Sequence, residues 1–149
     1  MRVLPALLAA AALLSGCATP IEPGPDAPKM ADNGNDCAVI VAIAKEHYRF
    51  NATDNRPPPI RFEGDFAPRC DWSRHGLAFT AYDADAPGDP RERMRWVSFA
   101  RPTYDGRGAV VETGIMHGPL AGMGYECRVI SGFAGWTVPE GACRNTWVS

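Results

Sequence analysis

The sequence predicts an α+β fold in which one N-terminal helix packs on an antiparallel β-meander of about four to five strands, braced by disulfides. Three observations support this prediction. A helical apolar period lies before residue 50, short alternating segments separated by turn residues follow from residue 77, and cysteines occur in both parts. A chain of 149 residues is long enough for one core of this kind.

The helix is predicted from an apolar stripe that follows residue 35. Its members recur at i, i+3, i+4, i+7 and i+11, and they are Cys37, Ile40, Val41, Ala44 and Tyr48. Asn35 or Asp36 is a suitable cap for the start, and the helix should end near Phe50. Cys37 then points to the core from the first turn, where a disulfide could fix the helix.

Residues 51–76 are predicted to be irregular. The three prolines at 57–59 enforce a polyproline II conformation and exclude helix. Cys70 lies in a loop before Gly76, and a disulfide from this cysteine would explain how so long a connection stays ordered.

The rest of the chain is predicted to form short strands. They are expected at 77–82, 95–101, 109–117 and 123–130, leading to Trp136-Thr137-Val138 and a last extended piece near 143–148, and they are separated by segments rich in glycine, proline and aspartate. Within the fourth of them, Tyr125, Cys127 and Val129 alternate with charged residues, which assigns one side of that strand to the core.

The first 16 residues indicate export. Arg2 precedes an apolar stretch from Val3 to Leu14, and small residues then lead to Cys17, which is the order of a secretory signal peptide. As a helix, this stretch would span about 18 Å against about 30 Å of bilayer hydrocarbon, so a retained transmembrane helix is not expected.

The processing site gives the leader a more specific interpretation. Leu14-Ser15-Gly16-Cys17 resembles the lipobox of bacterial lipoproteins, which implies that the mature chain begins at a diacylated Cys17. The alternative is an ordinary signal peptide cleaved near Gly16, with Cys17 as a chance thiol. By analogy with lipoprotein sorting in Gram-negative bacteria, Ala18 favours the outer membrane, with the protein facing the periplasm.

The predicted organisation has three parts. Residues 1–16 are a lipoprotein signal peptide, 17–35 are the lipidated cysteine with a proline-rich tether, and 36–149 are a single globular α+β domain. The tether has little to bury and would reach at most about 60 Å, so the domain would stand clear of the bilayer.

Composition limits the partners. The formal net charge is −2, and no basic patch is present that would attract nucleic acid. No apolar run beyond the leader approaches membrane length. Contact with the membrane is therefore expected through the lipid anchor, and an envelope protein or a cell-wall component is the expected partner.

Four cysteines remain once Cys17 is assigned to lipid. Cys37, Cys70, Cys127 and Cys143 form an even set in an oxidising compartment, which predicts two disulfides. Three connectivities are open. Because the last two strands are adjacent, Cys127 with Cys143 is favoured, leaving Cys37 with Cys70. No Cys-x-x-Cys pair supports a zinc site or a redox motif.

Distinctive residues occur at Cys70-Asp71-Trp72, from Gly118 to Cys127, at Trp136 and from Cys143 to Ser149. On these residues the chain resembles uncharacterised proteobacterial lipoproteins, and the likeness covers most of the globular part. The resemblance implies an envelope location. It implies no activity and supplies no catalytic or binding residues.

Catalytic and metal-binding patterns find little support. His47, His75 and His117 form no His-x-x-x-His pair, so a metal site would need the fold to gather them. Ser73 or Ser98 with a histidine and Asp71 could be written as a triad, but Gly-x-Ser-x-Gly is absent. Glu63, Asp65 and Asp71 are interpreted as solvated loop acids rather than a glycosidase pair.

An acidic run, three glycines and four tryptophans could also suggest ligand sites. The acidic run from Asp83 to Asp89 departs from a calcium loop at Pro87 and Met94. The glycines Gly118, Gly122 and Gly124 are expected to supply positive φ and a bulge rather than a phosphate loop. The four tryptophans Trp72, Trp96, Trp136 and Trp147 could line a ligand groove, although core packing is the favoured interpretation.

The sequence therefore favours a lipid-anchored, non-catalytic binding or accessory module of the cell envelope. No catalytic residue, metal ligand or cofactor is predicted. One alternative is a carrier or inhibitor that binds a small ligand on the concave face of the sheet. The other is a periplasmic hydrolase that uses His75 or His117 with Asp71.

Overall fold

A computed structural model describes residues 34–149 as a mixed α+β fold, with one α-helix and a curled, mainly antiparallel sheet of seven strands. The strands are β1 Ile60–Phe62, β2 Arg95–Phe99, β3 Thr103–Tyr104, β4 Gly108–Gly118, β5 Ala121–Gly132, β6 Gly135–Thr137 and β7 Cys143–Val148. The predicted signal peptide, the predicted lipidation site Cys17 and all but the end of the predicted tether lie outside the described residues. Within the described range, no helix has the length and apolarity needed to cross a membrane.

The helix α1 spans Gly34–Ala42 and continues as a π-helical turn, Ile43–His47. It begins two residues before the predicted start of the domain, so Asp36 lies inside the first turn instead of capping it. The buried carboxylate of Asp36 accepts a hydrogen bond from the hydroxyl of Tyr104. A negative charge at this position is also favoured by the helix dipole.

The predicted apolar stripe of the helix was too narrow. Val39, Ala42 and Ile43 are buried as well, whereas Val41 and Tyr48 are only partly buried. The helix is covered by more than the sheet, because residues of the long connection also join its core, namely Phe50, Phe66 and Leu77. A helix enclosed on several sides does not keep a single apolar stripe.

The sheet is built around the long hairpin of β4 and β5. Its order is β1-β2-β4-β5-β6, with β3 on β4 and β7 on β5. β2 and β3 lie end to end along one edge of β4, and β6 and β7 lie end to end along the far edge of β5. Every pair that involves β4 or β5 is antiparallel.

The prediction of an antiparallel meander with four to five strands was wrong in two respects. There are seven strands, and β1 pairs with β2 in parallel, with Ile60 opposite Val97. β1 and β3 contain three and two residues, which is too short for an alternating pattern to be recognised. The prolines before β1 already hold an extended backbone, and the Pro59 carbonyl accepts a hydrogen bond from the Val97 amide.

The strand predicted at 77–82 is also absent from the structure. This segment makes one isolated parallel bridge, between Ile60 and Ala81. The Ile60 amide donates to the Thr80 carbonyl, and the Ile60 carbonyl accepts from the Tyr82 amide. Its first residue, Leu77, instead donates its amide to the Trp72 carbonyl and closes a 3-10 turn, Trp72–His75. Leu77 and Phe79 do alternate with the exposed Ala78 and Thr80, but the alternation ends there because Ala81 is exposed and Tyr82 is partly buried. The segment also lacks a full strand partner.

Two disulfides join Cys37 to Cys70 and Cys127 to Cys143, which is the pairing favoured by the sequence. The first connects the initial turn of α1 to the irregular connection. The second joins β5 to β7 at residues that are directly opposite in the register. The helix and the C-terminal strand are therefore both fixed covalently to neighbouring parts of the fold.

Candidate functional site on the open face of the sheet

The two faces of the sheet have different surroundings. On β4, Ala109, Val111 and Ile115 are buried in the core shared with the helix. The intervening residues point to the opposite face because side chains alternate along a strand. That face, here called the open face, carries the exposed Glu112 and is not covered by any helix in residues 34–149.

The four tryptophans divide between these faces. Trp72 and Trp136 are partly buried and pack against the core. Trp96 and Trp147 lie on the open face, since Trp96 is opposite Met116 and Trp147 is opposite Gly124 in the register. The interpretation of the tryptophans as core residues therefore holds for two of them and is wrong for the other two.

The indole of Trp147 lies on a bed of glycines from β4 and β5. A Cβ on Gly124 would be 1.8 Å from Trp147 Nε1, on Gly114 it would be 2.9 Å from Cζ2, and on Gly122 it would be 3.1 Å from Cζ3. Only glycine leaves room for the ring to lie flat against the main chain. Trp147 nevertheless remains 41% exposed, so its outer side is open to a ligand.

The expectation for these glycines is corrected in part. The register between β4 and β5 does shift at Met116 and Gly118, and Gly118 has φ 158°. Gly122 and Gly124 do not have positive φ. Gly124 accommodates Trp147, and Gly122 accommodates Met116, whose Sδ would be 2.0 Å from an added Cβ, as well as Trp147. A sequence pattern does not display such a packing requirement.

A groove of about 240 Å³ lies beside this indole. Trp96 and Trp147 line it together with Glu63, Ser98, Glu112 and Gly114. Ser98 is almost fully buried, and its hydroxyl donates a hydrogen bond of 3.1 Å to Glu63 Oε1. This bond connects Glu63, which follows β1, to the floor of the groove.

Glu112 differs from the other acids of this face. Its carboxylate makes no hydrogen bond or salt bridge to any residue within 34–149. Directly opposite, on β5, lies Glu126, whose carboxylate is paired with Arg144. Like charges at directly opposed positions disfavour strand pairing, so a second cation next to Glu112 would relieve a local repulsion.

One of the two tryptophans that line the groove already contacts a cation, from a residue outside the lining. The guanidinium of Arg61 lies 4.5 Å from the ring centroid of Trp96 and 5.8 Å from that of Tyr82. For Trp147, no such cation is found among the described residues. The two tryptophans of the groove thus differ, one with an arginine of its own chain and one without.

These groups are suited to binding a ligand. The aromatic rings, two solvent-exposed carboxylates and a buried hydroxyl can hold a ligand through stacking, charge and hydrogen bonds. None of the three histidines lines this groove. A serine–histidine pair is therefore not assembled in this groove, where the Ser98 hydroxyl is bonded to the Glu63 carboxylate instead.

The histidines lie elsewhere. His47 is half-buried against the rings of Tyr48 and Tyr125, and burial lowers the pKa of its imidazole. It is close to Cys127 and Cys143, but their sulfurs are joined to each other in a disulfide. Within residues 34–149, this is the only group of three residues whose side chains could together bind a metal ion. It includes neither of the other two histidines.

Asp71 has a structural role in its turn. Its carboxylate accepts hydrogen bonds from the hydroxyl of Ser73, at 2.6 Å, and from the amide of Arg74, and the first of these bonds lowers its pKa. No hydrogen bond joins Asp71 to a histidine in the described part of the chain. The sequence prediction that paired Asp71 with His75 or His117 in a hydrolase therefore gains no geometric support.

The acidic loop after residue 82 is also internally bonded. Asp83 accepts the amide of Asp85, and Asp89 accepts the amide of Arg91. This loop borders a cavity of about 460 Å³, whose Arg95 pairs with Glu92. A third cavity, of about 660 Å³, borders His47, but there Glu46 accepts the amide of Val138. In both cavities, these polar groups are occupied by contacts within the protein.

The sequence did not single out Glu112 and had placed Glu63 among ordinary loop acids. Alternation within 109–117 could have identified Glu112, because it lies between Val111 and Thr113 and must face away from the core. Nothing in the sequence indicated that Glu63 would join it, since their neighbourhood depends on the parallel pairing of β1 with β2.

Comparisons of the chain with protein-family models, with curated proteins and with solved structures find no match.

Proposed function

We propose that this protein is a lipid-anchored, non-catalytic binding module of the cell envelope. Its partners bind at the groove between Trp96 and Trp147. The observation that supports it best is the groove itself, where two indoles and two unneutralised carboxylates meet on a face not covered within the described residues. Aromatic side chains and a few convergent polar groups are typical of binding sites.

The proposed location comes from the sequence. The lipobox ending at Cys17 implies attachment to a membrane, and Ala18 favours the outer membrane with the domain in the periplasm. Two disulfides among the remaining cysteines are in keeping with an oxidising compartment. A tether of the predicted length would let the groove reach an envelope protein or the cell wall.

Attachment is tested by mass spectrometry of the protein extracted from membranes. We expect a diacylated N-terminal Cys17 and loss of membrane association in the Cys17→Ser variant. An unmodified Cys17, or a mature chain that begins elsewhere, would contradict the proposed anchor.

Binding is tested in cells with a photo-crosslinking amino acid placed at Thr146, an exposed residue that lines the groove. Thr53, in an exposed loop outside the groove, is the control position. We expect an adduct from Thr146 that is absent from Thr53 and is reduced by Glu112→Gln. Equal adducts from both positions, or none from Thr146, would contradict binding at the groove.

A further inference from the structure

We infer that the groove recognises an arginine side chain of a protein partner, with the guanidinium stacked on Trp147 and paired with Glu112 and Glu63. This inference rests on the proposed binding function and specifies the chemistry of its ligand. The argument comes from the size of the groove, its charge, and the contrast between its two indoles.

The size of the groove selects a head group rather than a whole molecule. At about 240 Å³ it is smaller than the roughly 300–1,000 Å³ of pockets that enclose a drug-sized ligand. A single side chain that projects from a larger partner fits this space. The open face around the groove leaves room for the partner's backbone.

The charge of the groove favours a cation. Glu63 and Glu112 are its only charged lining residues, and neither has a basic partner among residues 34–149. The carboxylates alone would be an ordinary solvated surface. Their position beside an indole is what favours an organic cation, because a ring face attracts a cation while the carboxylates neutralise it.

The two indoles indicate which cation. Trp96 already carries a guanidinium, that of Arg61, at 4.5 Å, so one wall of the groove shows the contact that the other wall lacks. Trp147 has an equivalent ring, fixed on its glycine bed and 41% exposed. A planar guanidinium stacks on an indole and also presents several donors to two carboxylates, which an ammonium group cannot do in the same geometry.

The test uses the full chain and the peptide acetyl-GGRGG-amide, with matched peptides that carry lysine or citrulline in place of arginine. Binding is followed by NMR of the indole N–H signals, with Trp72 and Trp136 as internal controls because they pack on the core. We expect the arginine peptide to shift the Trp147 signal saturably, with a dissociation constant in the millimolar range. The lysine peptide should bind about threefold more weakly than the arginine peptide. The neutral citrulline peptide should bind at least about tenfold more weakly.

Two variants locate the interaction. Glu112→Gln should weaken binding of the arginine peptide about tenfold, whereas Glu126→Gln, on the same face but already paired with Arg144, should change it by less than about twofold. Trp147→Phe keeps an aromatic ring and should weaken binding about threefold, which is followed through the signal of Trp96, the other tryptophan of the groove. Unchanged Trp72 and Trp136 signals in each variant confirm that the fold is retained.

Three results would overturn the inference: equal binding of the citrulline peptide, shifts at Trp72 or Trp136 instead of Trp147, or no shift at saturating arginine peptide. If Thr146 still gives a specific crosslink in cells, the binding module stands and only the arginine ligand is rejected. If the Thr146 crosslink is absent as well, the proposed function itself fails.

Discussion

The two faces of this sheet contrast in composition and in what holds them in place. The inner face is apolar and is packed against α1, with Val97, Phe99 and Val111 fully buried. The open face carries two indoles, a glycine bed and carboxylates that have few partners within the protein. Because the same strands form both faces, the difference shows that the inner residues provide stability while the outer ones are available for recognition.

The strongest test of this contrast removes one large side chain from each face. Phe99→Ala should lower the free energy of unfolding by about 3–5 kcal/mol, because Phe99 is fully buried against Tyr48 and Phe79. Trp147→Ala should cost less than about 2 kcal/mol, since a large part of this ring is already in water. Urea unfolding measures both, and equal costs would show that the open face belongs to the core.

The two disulfides should differ in their contribution to stability because they close loops of different length. The Cys37–Cys70 bridge encloses 33 residues and fixes the buried helix, whereas Cys127–Cys143 encloses 16 and joins two neighbouring strands. On the loop-entropy estimate, their removal by paired alanine substitutions costs about 3.7 and about 3.1 kcal/mol respectively. Unfolding of the two double variants checks this order, and a larger loss for the shorter loop would contradict it.

The second of these bridges was predictable, and the reason is local. The final strand, Cys143–Val148, has the bounds expected from its sequence, and it pairs with β5, which contains Cys127. Once two strands are recognised as adjacent, cysteines that alternate to the core side can meet. The first bridge then followed because no other partner was left for Cys37.

Other parts of the fold depended on contacts that no local pattern contains. β1 is a three-residue strand whose parallel partner, β2, lies 33 residues or more along the chain, so its pairing is decided by tertiary packing. The groove has the same origin. Glu63 follows β1, Glu112 lies on β4 and Trp147 lies on β7, and only the order of strands brings them together.

The glycine bed offers a smaller perturbation that is confined to the open face. Gly124→Ala should displace the Trp147 indole, because the new Cβ would lie 1.8 Å from its Nε1, and we expect a loss of about 1–3 kcal/mol. Gly132→Ala on the same strand is the control, since its Cβ would meet nothing nearer than 3.7 Å. Acrylamide quenching should rise in the first variant alone, and unchanged quenching would show that Trp147 does not rest on these glycines.

A pH titration distinguishes a histidine beside the inner face from one in solvent. Burial lowers the pKa of His47 below its usual 6.5, so the unfolded chain takes up a proton at a higher pH than the folded one. Stability is therefore complete above pH 6.5 and is lost as the pH falls from there through the folded pKa. We expect His47→Phe to reduce this loss, and the exposed His117→Gln to leave it unchanged. The free energy of unfolding of the wild type and both variants is measured between pH 7 and pH 5. An identical dependence on pH in all three proteins would contradict the role of His47.

The smallest effect tests most directly whether the open face is optimised for binding. Glu112 faces Glu126 across β4 and β5 without a cation of its own, so Glu112→Gln should raise the free energy of unfolding by about 0.2–1 kcal/mol. The gain should diminish in high salt, which screens exposed charges. Equilibrium unfolding at low and high ionic strength measures this gain, with Glu140→Gln, at an exposed position outside the groove, as the control.

A destabilised Glu112→Gln variant would show that this carboxylate already has a stabilising partner. A stabilised variant that also loses the arginine peptide would show one residue that trades stability for recognition, as residues at binding sites often do.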